Sequence, residues 1–321
     1  MKIFKKERFP NGRRHIYFFN IKIFSYRRKR ELSKYEQIYA RRFNGLTPDE
    51  IRYCIEEQFK SQVGYVPNLD APKTFNEKLQ WLKLYYRNPL MTKCADKVAV
   101  REYIKEKIGE QYLIPCIGVW DNPNDIDFDK LPDKFVLKVN WGSGQNIIVK
   151  DKSKLNIRET RRQLAKWMRP ESNHYFMSFE WCYKDIKPKI IAEEYIEQMD
   201  GNLLDYKIFC NDGEPNFLFV AIDRNKDLRF NFYDLDFKQL PFKQYYENSN
   251  KAIKKPKQFQ EMLDISAILS KGFPHCRVDF YILDNKLYFG EITFYHFNGM
   301  KKFEPQEWDR RLGDLLKLPK E

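Results

Sequence analysis

The sequence lacks long apolar runs and paired cysteines, and each absence argues against a class of protein. No apolar stretch approaches the roughly 20 residues that a membrane-spanning helix needs. The basic first residues are not followed by the apolar core and small-residue cleavage site of a secretory signal. The six cysteines are scattered singly and form no CxxC pair, which argues against a disulfide framework or a structural zinc site. The sequence therefore predicts a reduced, cytoplasmic protein.

Positive charge is concentrated at the start of the chain. Residues 1–42 hold 14 lysines and arginines against three acids, a net charge of +11, whereas the whole chain carries +13. A nucleic-acid enzyme usually carries its basic face on the folded body, which is nearly neutral here, so a nucleic-acid partner is disfavoured. Phenylalanine and tyrosine alternate with the basic residues. The first 45 residues thus form an arm suited to an anionic surface, with a solvated basic tail as the alternative.

The remaining sequence predicts an α+β protein with room for about two domains. Thr47 with Glu50, and Thr74 with Glu77, are capping-box pairs that predict helix starts. Beyond residue 135 short strands follow one another, mostly as hairpins, with few helices between them. The predicted segments are a basic aromatic arm (1–45), a helical lead-in (46–133), a smaller subdomain with a glycine turn (134–200) and a larger one with a carboxylate hairpin (201–321).

The glycine turn lies in the segment FVLKVNWGSGQNIIVK, residues 135–150. Gly142, Ser143 and Gly144 can direct backbone N–H groups at phosphate oxygens, and Lys138 lies in the preceding strand, where an unpaired charge is costly. A strand, not a helix, follows the turn, which excludes a P-loop or a dinucleotide fingerprint. The alternative is an ordinary hairpin whose lysine extends to solvent.

The carboxylate hairpin is RVDFYILDNKLYFGEIT, residues 277–293. With a three-residue loop at 284–286, Asp279 lies opposite Glu291, and Arg277 lies opposite Thr293 on the same face. Facing carboxylates repel each other unless a cation lies between them, which indicates a magnesium site. A two-residue loop would place the two acids on opposite faces. The alternative is a pair of unrelated surface acids.

A third motif, KIIAEEYIEQMDGNLLDYKIF (residues 189–209), links these two. Its strand end could offer backbone groups to an adenine edge, and two residues spaced i and i+2 could reach ribose and phosphate. The alternative is an edge strand that ends in acids. The candidate residues are Glu193, Glu194 and Ile196 for adenine, and Asp205 and Lys207 for ribose and phosphate.

From about residue 72 to 319 the chain resembles the TupA-like branch of the ATP-grasp superfamily, named for teichuronopeptide synthesis in bacterial cell walls. The blocks that carry the resemblance include TFNEKLQWLKLYYRNPLMTKCADKVAVREYI, LPDKFVLKVNWGSGQNIIV, LLDYKIFCNDGEPNF and RVDFYILDNKLYFGEITF. The resemblance implies an ATP-grasp fold, in which two α+β subdomains hold ATP. It also implies an ATP- and Mg²⁺-dependent carboxylate–amine ligase acting through an acyl phosphate in surface-polysaccharide biosynthesis. The implied partners are a carboxylate-bearing sugar or polysaccharide precursor and an amine, and the implied location is the inner face of the cytoplasmic membrane.

The resemblance also assigns roles to residues. The implied sets are phosphate lysines (Lys97, Lys138), a phosphate flap (Gly142, Ser143, Gly144), an adenine edge (Glu193, Glu194, Ile196), a ribose ligand (Asp205), magnesium ligands (Asp279, Glu291, Thr293) and a residue that steadies the acyl group (Arg277). The sequence departs from the family at Trp141, where histidine is usual. It departs again at ITFYHFNGM, residues 292–300, where the family has an LTFTPGSGF-like loop.

Two other enzyme classes would share part of this pattern. A glycosyltransferase also uses a nucleotide and a metal, but its carboxylates usually form an Asp-x-Asp run such as Asp234-Leu235-Asp236, and here no glycine-marked βαβ unit precedes that run. An ATP-dependent sugar or lipid kinase would share the ATP site and lack only the amine. Both remain alternatives from the sequence.

Overall fold

The computed structural model describes residues 32–196, 204–223 and 227–319 in full, and the backbone of three strands nearer the start. The chain divides into two compact units, 1–46 and 47–321. In the first unit the strands Phe4–Arg8 (β1), Arg13–Phe18 (β2) and Ile21–Arg27 (β3) form an antiparallel sheet, and helix α1 spans Lys34–Ala40. Of the 14 basic side chains on which the predicted membrane contact depends, 11 lie outside the described residues, and Lys34, Arg41 and Arg42 lie within them.

Helices of the second unit begin where the capping motifs predict. Thr47 and Thr74 each accept a hydrogen bond from the backbone of a glutamate three residues on, whose side chain bonds back to the cap, so both capping boxes are confirmed. In the described residues no helix is both long and apolar enough to cross a bilayer. The helices are Pro48–Val63 (α2), Phe75–Tyr85 (α3), Pro89–Ala95 (α4), Val100–Lys107 (α5), Ile157–Trp167 (α6), His174–Ser178 (α7), Phe259–Ser270 (α8) and Glu307–Leu315 (α9).

Two antiparallel sheets form the body of the second unit, which confirms the α+β class. The smaller sheet contains Cys116–Trp120 (β4), Phe135–Val139 (β5), Asn146–Val149 (β6) and Ile190–Glu194 (β7), in the order β4-β7-β5-β6. The larger contains Asp205–Asn211 (β8), Glu214–Ile222 (β9), Arg229–Tyr233 (β10), Cys276–Leu283 (β12) and Lys286–Thr293 (β13), in the order β10-β9-β8-β12-β13. Two short strands, Lys243–Gln244 (β11) and Phe303–Glu304 (β14), pair separately.

The strands of these two sheets are apolar over most of their length, so they can be buried between the sheets and the helices. Helix α8 packs on β8, β9 and β12, and buries Phe259, Met262 and Leu269 completely or almost so. Strand β4 lies in the segment predicted as a helical lead-in, and it pairs with β7 of the smaller sheet. The other domain boundaries stay predictions.

The register of the β12–β13 hairpin is as expected, but the loop is not. Asp279 lies opposite Glu291, and Arg277 opposite Thr293. The loop has two residues, Asp284 and Asn285, both with positive φ, rather than the predicted three. A β-bulge at Gly290 shifts the register by one residue and returns Glu291 to the face of Asp279. The prediction that a two-residue loop would separate the acids is therefore wrong.

Candidate active site

A cavity of about 320 Å³ is lined by residues of the helical segment and of both sheets. Its polar lining includes both predicted phosphate lysines, the glycine turn and one of the predicted magnesium ligands. Its apolar lining is suited to a flat ring, because aliphatic and aromatic side chains lie near one another. The residues that line it are Cys94, Ala95, Lys97, Val100, Arg101, Leu113, Ile114, Lys138, Gly142, Ser143, Gly144, Gln145, Asn146, Tyr183, Glu193, Tyr281, Phe289, Gly290, Glu291 and Ile292.

The glycine turn is fixed at its base and exposed at its tip. The buried Trp141 indole donates from Nε1 to the carbonyl oxygen of Trp167 at 3.1 Å, which ties the turn to the end of α6. Lys97 Nζ donates to the carbonyl oxygen of Gly142 at 2.7 Å. Gly144 has φ +71°, a conformation that favours glycine, and a Cβ there would meet no atom within 4 Å. The departure at Trp141 is therefore a packing anchor beneath the turn.

Lys138 is half-buried and paired, as a charge within a strand requires. Its Nζ lies 2.6 Å from Oε2 of Glu193, and Arg101 Nη1 lies 3.0 Å from Oε1 of the same carboxylate. Arg101 also donates to the carbonyl oxygen of Ile114. Burial lowers the pKa of Lys97, with attraction to Glu291 opposing the shift and repulsion from Lys138 adding to it. The cavity therefore holds three cations, Lys97, Arg101 and Lys138, against the two carboxylates of Glu193 and Glu291, an excess of positive charge that favours an anionic ligand.

A buried ion cluster lies on the larger sheet below Glu291. The Arg277 guanidinium binds both oxygens of Asp279, with Nε–Oδ1 at 2.6 Å and Nη2–Oδ2 at 2.7 Å. Lys207 Nζ also bonds to Oδ2 of Asp279, and it lies 3.7 Å from Oδ2 of Asp205. Asp205 and Asp279 are completely buried. The predicted ribose contact of Asp205 and Lys207 stays a prediction, because both residues belong to this cluster and neither lines the cavity.

Glu291 and Thr293 complete the predicted magnesium set at the edge of this cluster. Arg277 Nη2 lies 3.3 Å from Oε1 of Glu291 and 3.1 Å from Oγ1 of Thr293, so the guanidinium is the cation that separates the two facing acids. Oxygen atoms are the ligands that magnesium prefers, and Glu291, which is 43% exposed, is open to such a cation. Both oxygens of the completely buried Asp279 are bonded to Arg277 or Lys207, so Asp279 as a magnesium ligand stays a prediction. Across residues 32–196, 204–223 and 227–319, no group of three or more His, Cys, Asp and Glu side chains forms a ready metal site.

The predicted adenine edge ends β7. The backbone N–H of Glu194 donates to the carbonyl oxygen of Pro115, and the side chain of Glu194 is exposed. Ile196 is buried but is not among the residues that line the cavity. Of this trio only Glu193 lines the cavity, and its carboxylate binds Lys138 and Arg101. The contact of Glu194 and Ile196 with adenine stays a prediction.

Several residues of the site escape reasoning from sequence. The buried His296 places Nδ1 2.7 Å from Arg277 Nη1 and Nε2 3.1 Å from Oε1 of Gln244. Since arginine can only donate, Nδ1 accepts and the Nε2–H donates to Gln244. Burial, with repulsion from Arg277, lowers the pKa of His296 and keeps the ring neutral. In the sequence, the departure of the ITFYHFNGM segment from the family pattern could have indicated a role for His296. Nothing in the sequence distinguished Gln244.

The turn His296–Gly299 is held by a buried lysine of α3. Lys83 Nζ donates to Oε1 of Gln80 at 2.8 Å and to the carbonyl oxygen of Asn298 at 2.7 Å, and also contacts the Asn298 side chain. Burial lowers the pKa of Lys83 to about 7. In the sequence, Lys83 follows Leu79 by four residues and so lies on the apolar face of the helix, which could have indicated that its side chain is buried.

The Asp-x-Asp run has a local structural role. Asp234 Oδ1 accepts hydrogen bonds from the backbone N–H groups of Asp236 and Lys238, at 3.0 and 2.8 Å. This carboxylate therefore closes the turn that follows β10. The arrangement gives no support to a glycosyltransferase metal site there.

Comparisons with known proteins show which family this chain resembles. The model of the TupA-like ATP-grasp family matches residues 77–317. A search of curated proteins finds no match. Among solved structures, D-alanine–D-alanine ligase of Bacillus anthracis with ATP is 15% identical, with 82% of this chain and 83% of that chain covered and a TM-score of 0.39.

Two further solved structures are similar over part of their length. D-alanine–D-alanine ligase of Helicobacter pylori is 15% identical, with 69% of this chain and 59% of that chain covered and a TM-score of 0.38. Phosphoribosylamine–glycine ligase of Thermotoga maritima is 13% identical, with coverages of 64% and 48% and a TM-score of 0.37. The chain thus spans about half of these two ligases, and the family assignment does not depend on them.

The family match covers most of the second unit, including both sheets, the glycine turn and the carboxylate hairpin. It confirms the resemblance read from the sequence and the ATP-grasp fold. ATP-grasp enzymes use ATP with Mg²⁺, and a cavity lined by lysines, a glycine turn and a carboxylate is consistent with that use. The chain belongs to the TupA-like ATP-grasp family.

Proposed function

We propose that this protein is an ATP-dependent ligase that activates the carboxylate of a uronic acid or a related sugar and joins it to an amine, in the synthesis of a cell-surface polysaccharide. The observation that carries the proposal is the meeting of Lys97, Lys138, the glycine turn and Glu291 around one cavity, directly above the Arg277 cluster. The lysines at the cavity wall suit a polyphosphate. Arg277 is buried beneath Glu291 and does not line the cavity, so its contact with the substrate carboxylate rests on the family resemblance.

In the proposed mechanism the protein mainly positions and neutralises charge. Lys97 and Lys138 hold phosphate oxygens beneath the Gly142–Gly144 turn. Asp279, Glu291 and Thr293 would hold magnesium, which when bound neutralises the polyphosphate. Arg277 steadies the carboxylate whose oxygen attacks the γ-phosphorus, so that an O–P bond forms and ADP leaves. The amine then attacks the acyl carbon, phosphate leaves, and the nitrogen loses its proton to solvent.

Release of ADP tests this function directly. The purified chain, given ATP and Mg²⁺, is assayed against uronic acids paired with amino acids or amino alcohols, and the product is identified by mass. We expect ADP release that requires both partners and a product joined through an amide. A transferred phosphate that stays on the sugar would instead establish a kinase. A product from a nucleotide sugar, without ATP, would establish a glycosyltransferase.

We propose in addition that the basic arm attaches the enzyme to an anionic membrane surface on the cytoplasmic side. The support is the net charge of +11 over residues 1–42, with aromatic residues between the basic ones. Each basic residue near such a surface contributes about 1 kcal/mol, screened by salt. We expect the full chain to sediment with anionic liposomes at low salt and less at high salt. A variant without residues 1–42 should stay in solution and still bind ATP; equal sedimentation of both would refute the attachment.

A further inference from the structure

A group of aromatic side chains, one exposed and two half-buried, lies beside the His296–Gly299 turn. We call Tyr245, Tyr246, Phe297 and Lys301 the aromatic patch. The Tyr245 and Phe297 ring centroids are 5.6 Å apart, and those of Tyr245 and Tyr246 are 4.7 Å apart. Tyr245 is 59% exposed, and Phe297 is half-buried. A large ring left in solvent next to others is a common mark of a binding surface.

The backbone that presents these rings is in an unfavourable conformation. Tyr245 has φ +65° and Phe297 has φ +48°, a region that bulky residues rarely adopt. Gln244 fixes both segments, because its Nε2 donates to the carbonyl oxygen of Lys301 at 3.1 Å and its Oε1 accepts from His296. Strained residues held by a surrounding network often belong to functional sites. Two such residues from separate segments, with their rings together, point to a ligand.

The patch combines a ring face with a positive charge. Lys301 Nζ lies 3.9 Å from the centroid of the Tyr245 ring, where the negative face of the ring holds the ammonium group. A pyranose ring whose weakly positive C–H groups stack on this face would displace the ammonium group to the edge of the ring. The ammonium group can at the same time pair with a carboxylate. A sugar that carries a carboxylate matches both features.

The patch is connected to the reaction centre by direct contacts. The Phe297 ring lies 4.3 Å from the His296 ring, and His296 binds Arg277 at 2.7 Å. On the other side Phe230 stacks on Phe219, and the Arg277 guanidinium lies 5.7 Å from the Phe219 ring. Phe230 in turn contacts both Phe297 and Tyr246. These buried rings therefore couple the position of the patch to that of Arg277.

We propose that the aromatic patch is a subsite for a carboxylate-bearing sugar, with Tyr245 stacking on the pyranose ring and Lys301 pairing with its carboxylate. The proposal deepens the proposed function and rests on it, since it names how the acidic saccharide is held outside the ATP cavity. It also gives a role to the unusual 294–300 segment, which supplies Phe297.

Calorimetric titration of the full chain with a galacturonic acid tetrasaccharide, and with the galactose tetrasaccharide that lacks carboxylates, tests the subsite. We expect the acidic tetrasaccharide to bind more tightly. Tyr245→Ala should weaken its binding at least tenfold, and Tyr245→Phe should retain it. Lys301→Met should remove most of the preference for the acidic ligand. The matched controls are Tyr288→Ala and Lys286→Met, which break a similar pair 4.8 Å apart and should change nothing.

ATP-dependent thermal shift, measured on the same variants, separates this proposal from the ligase function. Retained ATP binding together with the expected losses of saccharide binding would support the subsite, whatever the assay of ADP release shows. No saccharide binding by the parent chain, or equal binding by Tyr245→Ala, would overturn it while leaving the ligase function standing. An equal loss in the control variants would also overturn it.

Discussion

Lys138 and Glu193 are paired across the smaller sheet at 2.6 Å, and Arg101 holds the other oxygen of the same carboxylate at 3.0 Å. Glu193 therefore orients two cations at the wall of the cavity that also contains Lys97. Because both carboxylate oxygens are engaged, its effect on a bound nucleotide acts through Lys138 and Arg101. This relationship gives Lys138 a defined position before any phosphate is present.

Lys138→Ala should weaken ATP binding without unfolding the chain. A hydrogen bond to a charged group contributes about 1.5–3 kcal/mol, so the loss should be about 10- to 100-fold in Kd. Glu193 keeps Arg101 as a partner in this variant, which limits the cost in stability. The control is Lys189→Ala, which removes a lysine paired with Asp121 on the same sheet. Equal ATP affinity of Lys138→Ala and the parent, by calorimetry, would refute the phosphate role.

Asp279→Asn and Glu291→Gln should behave differently although the two residues face each other. Asp279 is buried against Arg277 and Lys207, so neutralising it leaves uncompensated charge and should lower the free energy of unfolding by about 3–5 kcal/mol. Glu291 is 43% exposed, so its change should cost under about 1 kcal/mol. Glu291→Gln should instead raise the Mg²⁺ concentration needed for activity. Denaturant unfolding measures the predicted loss of stability in Asp279→Asn, and Mg²⁺ titration measures the changed requirement of Glu291→Gln. Similar unfolding curves for the two variants would contradict a structural role for Asp279.

Lys83→Met should change how stability depends on pH. Burial lowers the pKa of Lys83 to about 7 from an ordinary 10.5, so between these values the unfolded chain binds more protons than the folded one. The free energy of unfolding of the parent, relative to Lys83→Met, should therefore rise from pH 7 to about 10, by at most about 1.4 kcal/mol per pH unit. Urea unfolding of both proteins at pH 6, 8 and 10 measures the difference. A constant difference would show that the folded chain leaves the pKa of Lys83 at its ordinary value, so that the side chain stays charged over this range.

Trp141→Phe should loosen the glycine turn. It removes the 3.1 Å hydrogen bond to the carbonyl oxygen of Trp167 and part of a buried ring. A loss of about 1–3 kcal/mol in the free energy of unfolding is expected. ATP affinity should fall as well, because Gly142 follows directly. Trp120→Phe, on β4 of the same sheet, is the control. Unchanged ATP affinity would mean that the anchor does not position the turn.

Local signals in the sequence were sufficient for much of the fold. Thr47 and Thr74 cap helices through contacts within four residues, and four of the seven strand pairs in the two main sheets join strands that are neighbours in the chain. The pairing of Asp279 with Glu291 also followed from a hairpin, whose register depends on nearby residues. These features need no knowledge of distant contacts.

The partners of buried charges could not be predicted in the same way. Glu193 lies 55 residues from Lys138 in sequence, and Gln244 lies 52 residues from His296. Lys83 reaches a backbone carbonyl 215 residues away. The free energy of such contacts depends on burial and exact distance, which only the assembled sheets and helices determine. The roles of Arg101 and Lys83 became visible only with the tertiary structure.

The bulge at Gly290 implies a rule for changes in hairpin length. The extra residue sits beside the acid instead of at the tip, where Asp284 and Asn285 make a two-residue turn. Removal of Gly290 would take away the bulge but leave Asp279 opposite Glu291, because every other pair of the hairpin stays in place. A residue added to the turn would likewise leave these pairs unchanged. An insertion or deletion among residues 286–289 would instead change which side chain faces Asp279. Homologous hairpins should therefore vary in the turn and at the bulge, and keep the length of the strand between them.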